Sequence, residues 1–221
     1  MRKVVAAAFV SLDGVMQAPG GPQEDPTGGF THGGWTVNYW DEPMGRFMDG
    51  TFSSPFDLLL GRKTYEIFAA HWPFRGPDDP IAASFNAVTK YVATSSAESL
   101  TWANSVALRG DVAAEIARMK QQDGPILLTQ GSSVLLQTLL AHDLIDEFSL
   151  LVFPLVLGPG KRLFGEGTKP GALKLTSTAV STTGVIMSRY ERAGAIVTGS
   201  FAEEHPSEAE IARRERMKRE G

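Results

Sequence analysis

Three times along this chain a short aliphatic run breaks off into glycine or hydroxyl residues. Leu58-Leu59-Leu60 runs into Gly61-Arg62-Lys63-Thr64, Ile126-Leu127-Leu128-Thr129 into Gln130-Gly131-Ser132-Ser133, and Tyr91-Val92-Ala93 into Thr94-Ser95-Ser96. Helical patterns follow at once after the first two. Apolar runs of strand length that alternate with helical periodicity specify a layered α/β domain, because each helix must cover the sheet it connects. The pattern predicts strands over residues 3–10, 57–60, 90–94, 126–129 and 147–157. Residues 173–179 and 185–191 read as an antiparallel hairpin turning at Thr182-Thr183-Gly184. Asp111 is placed to cap a helix carrying Val112, Ile116 and Met119 on one face and ended by Gly124-Pro125. Ser132 or Ser133 caps the next, with Val134, Leu135, Leu139 and Leu140 apolar, and Thr64 caps a short helix over 64–70.

The chain has 221 residues, 43% of them hydrophobic and 21% charged, which is core material for one large domain. A net charge of −4 gives no basic field for nucleic acid or anionic lipid, so neither is expected as a partner. Without cysteine there is no disulfide scaffold, thiolate nucleophile or zinc ribbon, and a cytoplasmic location fits. Met1-Arg2-Lys3 and the seven apolar residues after it imitate a signal peptide, but Ser11-Leu12-Asp13-Gly14 interrupts them without a cleavage pattern. The run over 148–157 contains Ser149 and Pro154 and is too short to span a bilayer.

Two stretches are irregular. Residues 18–36 form a Gly/Pro-rich insertion, longer than a simple connection needs and therefore a candidate functional loop. Residues 203–220 hold 11 charges in 18 positions and read as a solvated helix or tail.

The junctions also suggest chemistry. A helix start presents unpaired N–H groups and the positive end of a dipole, and glycine lets a ligand approach the backbone. Gly61, Arg62, Lys63 and Thr64 combine these features with two cations, and Gly131, Ser132 and Ser133 repeat them at a second strand end. Ser95 and Ser96 close a third strand with hydroxyls; the strand end carries no acid for a ribose 2′-OH, although Glu98 follows soon after. Rival motifs are missing. Gly158-Pro159-Gly160-Lys161-Arg162-Leu163 has leucine where a glycine fingerprint needs its third glycine, and there is no Walker or G-x-S-x-G sequence. His32, His71, His142 and His205 have no metal-ligand spacing, so no metal is expected.

Three segments together resemble a known family. Ser11-Leu12-Asp13-Gly14, Leu59-Leu60-Gly61-Arg62-Lys63-Thr64-Tyr65-Glu66 and Leu157-Gly158-Pro159-Gly160-Lys161-Arg162-Leu163-Phe164 look like signatures of the dihydrofolate-reductase-like proteins. The resemblance is to members related to the reductase domain of the bifunctional riboflavin-biosynthesis deaminase-reductase, and Leu144-Ile145-Asp146-Glu147 is similar to the family's approach to a late strand. The resemblance covers residues 2–192. It implies a three-layer α/β/α sandwich on a mixed, mostly parallel sheet over residues 1–192, with 193–221 as a charged extension. It also implies NADPH as cofactor, a small-molecule substrate and a homodimer.

Carried over position by position, Gly61, Arg62, Lys63 and Thr64 match the family's phosphate turn. Ser95 and Ser96 match the turn near the 2′-phosphate, and Gly131, Ser132 and Ser133 the turn under the pyrophosphate. Asp13 matches the acid at the mouth of the nicotinamide pocket and is the candidate catalytic residue, with a turn-forming role as its alternative. Counting back from Gly61 puts Gly45 where dihydrofolate reductases keep a helix carboxylate; Asp41, Glu42 and Asp49 are near but off that position. Trp35, Tyr39 and Trp40 are the candidate substrate wall, where aromatic faces can stack on a flat heterocycle. The expectation is therefore an NADPH-dependent reductase of a small heterocyclic, carbonyl or imine compound. The alternative is a catalytically silent nucleotide-binding or dimeric scaffold on the same fold.

Overall fold

The computed structural model describes residues 1–76, 78–201 and 205–220; positions 203, 204 and 221 of the charged tail lie outside the described residues. Its strands are β1 (Val4–Ser11), β2 (Phe56–Gly61), β3 (Lys90–Ala93), β4 (Ser105–Leu108), β5 (Ile126–Gln130), β6 (Glu147–Phe153), β7 (Leu173–Val180) and β8 (Ile186–Arg192). Its α-helices are α1 (Glu42–Phe52), α2 (Arg62–Ala69), α3 (Pro80–Ala87), α4 (Val112–Lys120), α5 (Ser133–Ala141) and α6 (Glu208–Glu220).

The strands form one eight-stranded sheet in the order β4-β3-β2-β5-β1-β6-β8-β7. β1 to β6 pair in parallel, whereas β8 runs antiparallel to β6 and β7 antiparallel to β8. This is the mixed, mostly parallel sheet expected. β1 lies in the middle and is apolar on both faces, as a covered parallel strand must be. Val4, Ala6, Ala8 and Val10 pack with Ile116 and Met119 of α4 and Leu135, Leu136 and Leu139 of α5. Val5 and Ala7 face the other way, onto a cluster with Tyr65 of α2 and Phe85 of α3. Met44 and Met48 of α1 extend that second face against Leu151, Phe153 and Met187.

A buried clamp closes the amino end of the sheet. Arg2 pairs with Asp57, donates from Nε to the Pro125 carbonyl at 2.7 Å, and lies over the Tyr91 ring. The carboxyl ends, where the chain turns into α2 and α5, are left for a ligand.

Several elements differ from the sequence reading. β6 stops at Phe153 because Pro154 has no N–H for the ladder. Gly61, not Thr64, is the N-cap of α2, so Thr64 is the helix's third residue. α1, α3 and β4 were not anticipated. α1 carries two internal glycines that blur its periodicity, and β4 is four residues long with one buried side chain. The tail forms α6, which buries none of its residues.

Candidate functional site

A cavity of about 810 Å³ opens at the carboxyl ends of β1, β2, β3 and β5. All nine residues marked from the sequence as cofactor contacts line it: Gly61, Arg62, Lys63, Thr64, Ser95, Ser96, Gly131, Ser132 and Ser133. Its volume lies within the usual range for small-molecule and cofactor sites.

Helix capping sets two of the helix starts at this cavity apart from the others of the fold. α1, α3 and α4 each begin with an aspartate, Asp41, Asp79 or Asp111, whose carboxylate accepts from the first-turn N–H groups. α4 starts at the cavity too, through Val112, but behind its Asp111 cap, whereas α2 and α5 open onto the cavity with no side-chain cap. Their open N–H groups and dipole ends therefore meet the cavity with no protein anion in the way, which is the arrangement that binds phosphate.

The two turns are fastened to each other. Ser132 Oγ accepts from the Gly61 N–H at 2.7 Å, which leaves the hydroxyl proton free to donate. Gly61 has an ordinary extended backbone; its glycine is favoured by proximity, because an added Cβ would lie 3.2 Å from Ser132 Cβ and press that side chain back by a few tenths of an ångström. Ser132 itself is left-handed, with φ +67°, directly after Gly131 at φ +81°.

Charge is concentrated at the α2 end. Arg62 donates from Nε to Glu66 at 2.6 Å and from Nη2 to Glu98 at 3.1 Å, while Lys63 forms no ion pair among the described residues. Glu98 is thus beside the cation expected to meet a phosphate. Ser96 accepts from the Glu98 N–H and shapes a turn, whereas Ser95 is exposed.

The insertion supplies the opposite wall through Ala18, Pro19, Gly20, Glu24, Asp25 and Thr27. Gln17 organises it: the buried amide donates to the Asp25 and Thr27 carbonyls and accepts from the Lys161 N–H. Lys161 also pairs with the Asp25 carboxylate. Burial opposes ionisation of Asp25, but Lys161 and Thr27 outweigh it and hold the carboxyl below its ordinary value. Glu24 has the opposite balance. Burial raises its pKa and the neighbouring Asp25 adds to the rise, against the N–H groups of Gly20 and Gly21. Phe9, Met48, Ile67, Phe68 and Trp72 make the floor apolar.

Asp13 does not line this cavity. Its carboxylate accepts from Ser11 Oγ at 2.5 Å and from the N–H groups of Leu157 and Gly158 at 3.1 and 2.8 Å. The Ser11 hydroxyl, with those backbone donors, holds its pKa down at about 2. The residue ties the first signature segment to the third, where Val15 and Arg162 also form a β-bridge. Gly160 belongs to the same seam, since a Cβ there would strike Val15 at 2.7 Å.

The aromatic wall is likewise elsewhere. Trp35 is buried, donates to the Gln17 carbonyl at 2.8 Å and packs edge-on against Phe153, as does Tyr39. Trp40 reaches the site only through Phe9, against which it packs at 6.2 Å. Core packing claims Trp35 and Tyr39 because that part of the segment lies over Phe153 of β6, whereas Trp40 is exposed. Of the rings that line the cavity, Phe9 belongs to β1, while Phe68 and Trp72 follow the α2 turn. Asp41 caps α1 and also accepts from Thr182, Glu42 pairs with Arg46, and Asp49 is exposed, so none supplies the carboxylate absent at Gly45. Among the described residues no group of three or more His, Cys, Asp or Glu could hold a metal, and no helix is long and apolar enough to cross a membrane.

Comparison with known proteins agrees with this geometry. The pattern of the RibD C-terminal domain matches residues 2–187. YwjB of Bacillus subtilis strain 168 is 31% identical over 180 residues, 80% of this chain and 91% of its own. YyaP of the same organism is 25% identical over 193 residues, 86% and 94% of the two chains. A riboflavin biosynthesis protein from Shewanella sp. PV-4 superposes with a TM-score of 0.59 at 20% identity, over 86% of this chain and 99% of its own. Dihydrofolate reductase from Enterococcus faecalis, complexed with NADP(H), gives 0.54 at 14%, over 86% and 96%. A pyrimidine reductase-like protein from Corynebacterium diphtheriae gives 0.56 at 13%, over 87% and 92%. These structures share the fold.

Proposed function

Because the chain belongs to the RibD C-terminal domain family, we propose that its cavity binds NADPH and reduces a small heterocyclic, carbonyl or imine compound. One observation carries this reading: the two uncapped helix starts, α2 and α5, face a single cavity and are joined by the Ser132–Gly61 hydrogen bond. A dinucleotide needs phosphate-facing turns spaced in this way, and the protein already satisfies the equivalent groups on α1, α3 and α4 from its own side chains.

When bound, the nicotinamide supplies a hydride, and the protein contributes position and electrostatics. The N–H groups at the starts of α2 and α5 would hold the phosphates, with Lys63 and Arg62 adding charge at the α2 end. Ser95 and Ser96 would border the adenosine side. Ala7 and Ala8 in the middle of β1 and Gln130 at the end of β5, with Met16 and Ala18 of the loop, would flank the nicotinamide and exclude water. Met48, Phe68 and Trp72 then offer the substrate an apolar floor. Arg62 lies between Glu66 and Glu98, so part of its charge is already balanced. Preference for NADPH over NADH then depends most on Lys63, and Glu98→Gln strengthens it.

Two further assignments complete this reading. Residues 1–192 form the reductase body and 193–221 an appendage, supported by the end of β8 at Arg192 and the lack of burial in α6. The body pairs as a homodimer through β7, an edge strand with all eight residues exposed and Leu173, Leu175 and Val180 among them.

The reading is tested by titrating NADPH and NADH against wild type and an Arg62→Ala, Lys63→Ala double variant, following tryptophan quenching. Each charge-assisted hydrogen bond contributes about 1.5–3 kcal/mol, so NADPH should weaken by more than about tenfold and NADH much less. Failure of wild type to bind either nucleotide would refute the proposal and favour a silent scaffold.

A further inference from the structure

We propose that Glu24 is the recognition group for a cationic nitrogen on the molecule reduced in this cavity, such as an amidinium or protonated imine. The inference rests on the reductase reading of the same cavity and names its substrate class.

Among the described residues, two carboxylates line the cavity, Glu24 and Asp25, and their surroundings differ. Asp25 is neutralised by Lys161 and also accepts from the Thr27 hydroxyl. Glu24 has no cation partner among the described residues. Its Oε2 accepts from the Gly20 and Gly21 N–H groups at 2.5 and 3.2 Å, and these bonds fix the carboxylate on the loop. Its Oε1 has no hydrogen-bond partner among the described residues. A half-buried carboxylate on the cavity wall, held by one oxygen and with the other free of protein donors among the described residues, is suited to a donor that brings positive charge. Burial and Asp25 both press Glu24 towards its neutral form, so a bound cation relieves an existing strain on its charge.

The distribution of charge around the cavity points the same way. Lys63 and Arg62 stand at the phosphate end. At the loop end the Asp25–Lys161 pair sums to zero, which leaves Glu24 as the net charge there. An anionic substrate would meet Glu24 unscreened by a paired cation. A neutral one would leave Oε1 to water. A flat cation satisfies Oε1 and can lie on the floor formed by Phe68 and Trp72.

Glu24→Gln separates charge from shape, because the amide oxygen can still accept from Gly20 and Gly21. The probes are benzamidinium and its neutral isostere benzamide, titrated by calorimetry into wild type and Glu24→Gln, each with and without saturating NADP⁺. Wild type should bind benzamidinium at least about tenfold more tightly than benzamide, and Glu24→Gln should erase that preference. The proposal is overturned if wild type shows no preference, binds neither probe, or if the preference survives in Glu24→Gln. Parallel NADP⁺ titration distinguishes the two failures. NADP⁺ binding without amidinium preference removes only the role of Glu24, whereas absent NADP⁺ binding removes the reductase reading itself.

Discussion

Ser132 carries two opposed contributions that substitution can separate. Its backbone is left-handed at φ +67° and ψ +65°, a region that costs a non-glycine residue about 1–2 kcal/mol. Against this, Oγ accepts from the Gly61 N–H at 2.7 Å, in a position where the serine is only 8% exposed. Ser132→Ala keeps the backbone strain and leaves the Gly61 N–H without its partner, a loss of about 1–3 kcal/mol. Ser132→Gly loses the same bond but recovers the strain, less about 0.5–1 kcal/mol for the added freedom of its unfolded chain. The glycine variant should therefore unfold in urea as the more stable of the two by about 0.5–1 kcal/mol, with both below wild type. An alanine variant equal to wild type, or more stable than the glycine variant, would show that the turns are not joined in this way.

Lys90 gives a pH signature. It is fully buried, donates to the Asn86 and Ala103 carbonyls at 2.9 and 3.0 Å, and lies over Trp102 with no ion-pair partner among the described residues. Burial lowers its pKa from 10.5 to about 8. Between those values the unfolded chain holds a proton that the folded one has released, so stability rises with pH across that window, by about 3 kcal/mol in all. Urea unfolding of wild type against Lys90→Met from pH 7.5 to 10.5 reads this as a widening difference in favour of wild type; a flat or falling difference contradicts it. Asp13→Asn should lower the melting temperature at pH 7 and leave NADPH affinity unchanged, because Asp13 holds the Leu157–Gly158 backbone outside the cavity. Its stabilisation is present above its ordinary pKa of 3.8 and lost as pH falls through about 2, so the variant's acid unfolding should be flatter there. Deleting residues 203–221 should shift the melting temperature by no more than about 1–2 °C, as no residue of α6 is buried; loss of folded protein on truncation would show that the helix docks.

What could be read from the sequence was what local pattern controls. The strand-to-helix junctions at Gly61 and Gly131 were legible because an apolar run, a glycine and a helix start are adjacent in the chain, and their residues share the cavity wall. That Gly45 brings no carboxylate was also legible; in the fold Asp41 caps α1, Glu42 pairs with Arg46 and Asp49 is exposed. Long-range organisation was not. Asp13 carries the family's motif, yet its partners are Leu157 and Gly158, more than 140 positions away, and only the folded chain shows that the motif is a seam. Trp35, Tyr39 and Trp40 follow the insertion and read as a substrate wall, but Trp35 and Tyr39 pack against Phe153 and Trp40 against Phe9. Glu24 and Lys161 were hidden for the same reason. The insertion has no periodicity, and its shape follows from the contacts of Gln17 with segments far along the chain.

The central claim is that the two uncapped helix starts form one dinucleotide site. Amide shifts in ¹⁵N-labelled protein titrated with NADP⁺ test it most directly, because they report on the N–H groups in question. The N–H signals of Arg62, Lys63 and Thr64 and those of Ser133 and Val134 should all move and saturate together with one dissociation constant, while the Asp-capped starts of α1 and α3, which lie away from the cavity lining, remain still. Movement at only one of the two turns, two different dissociation constants, or no movement at either would contradict the account.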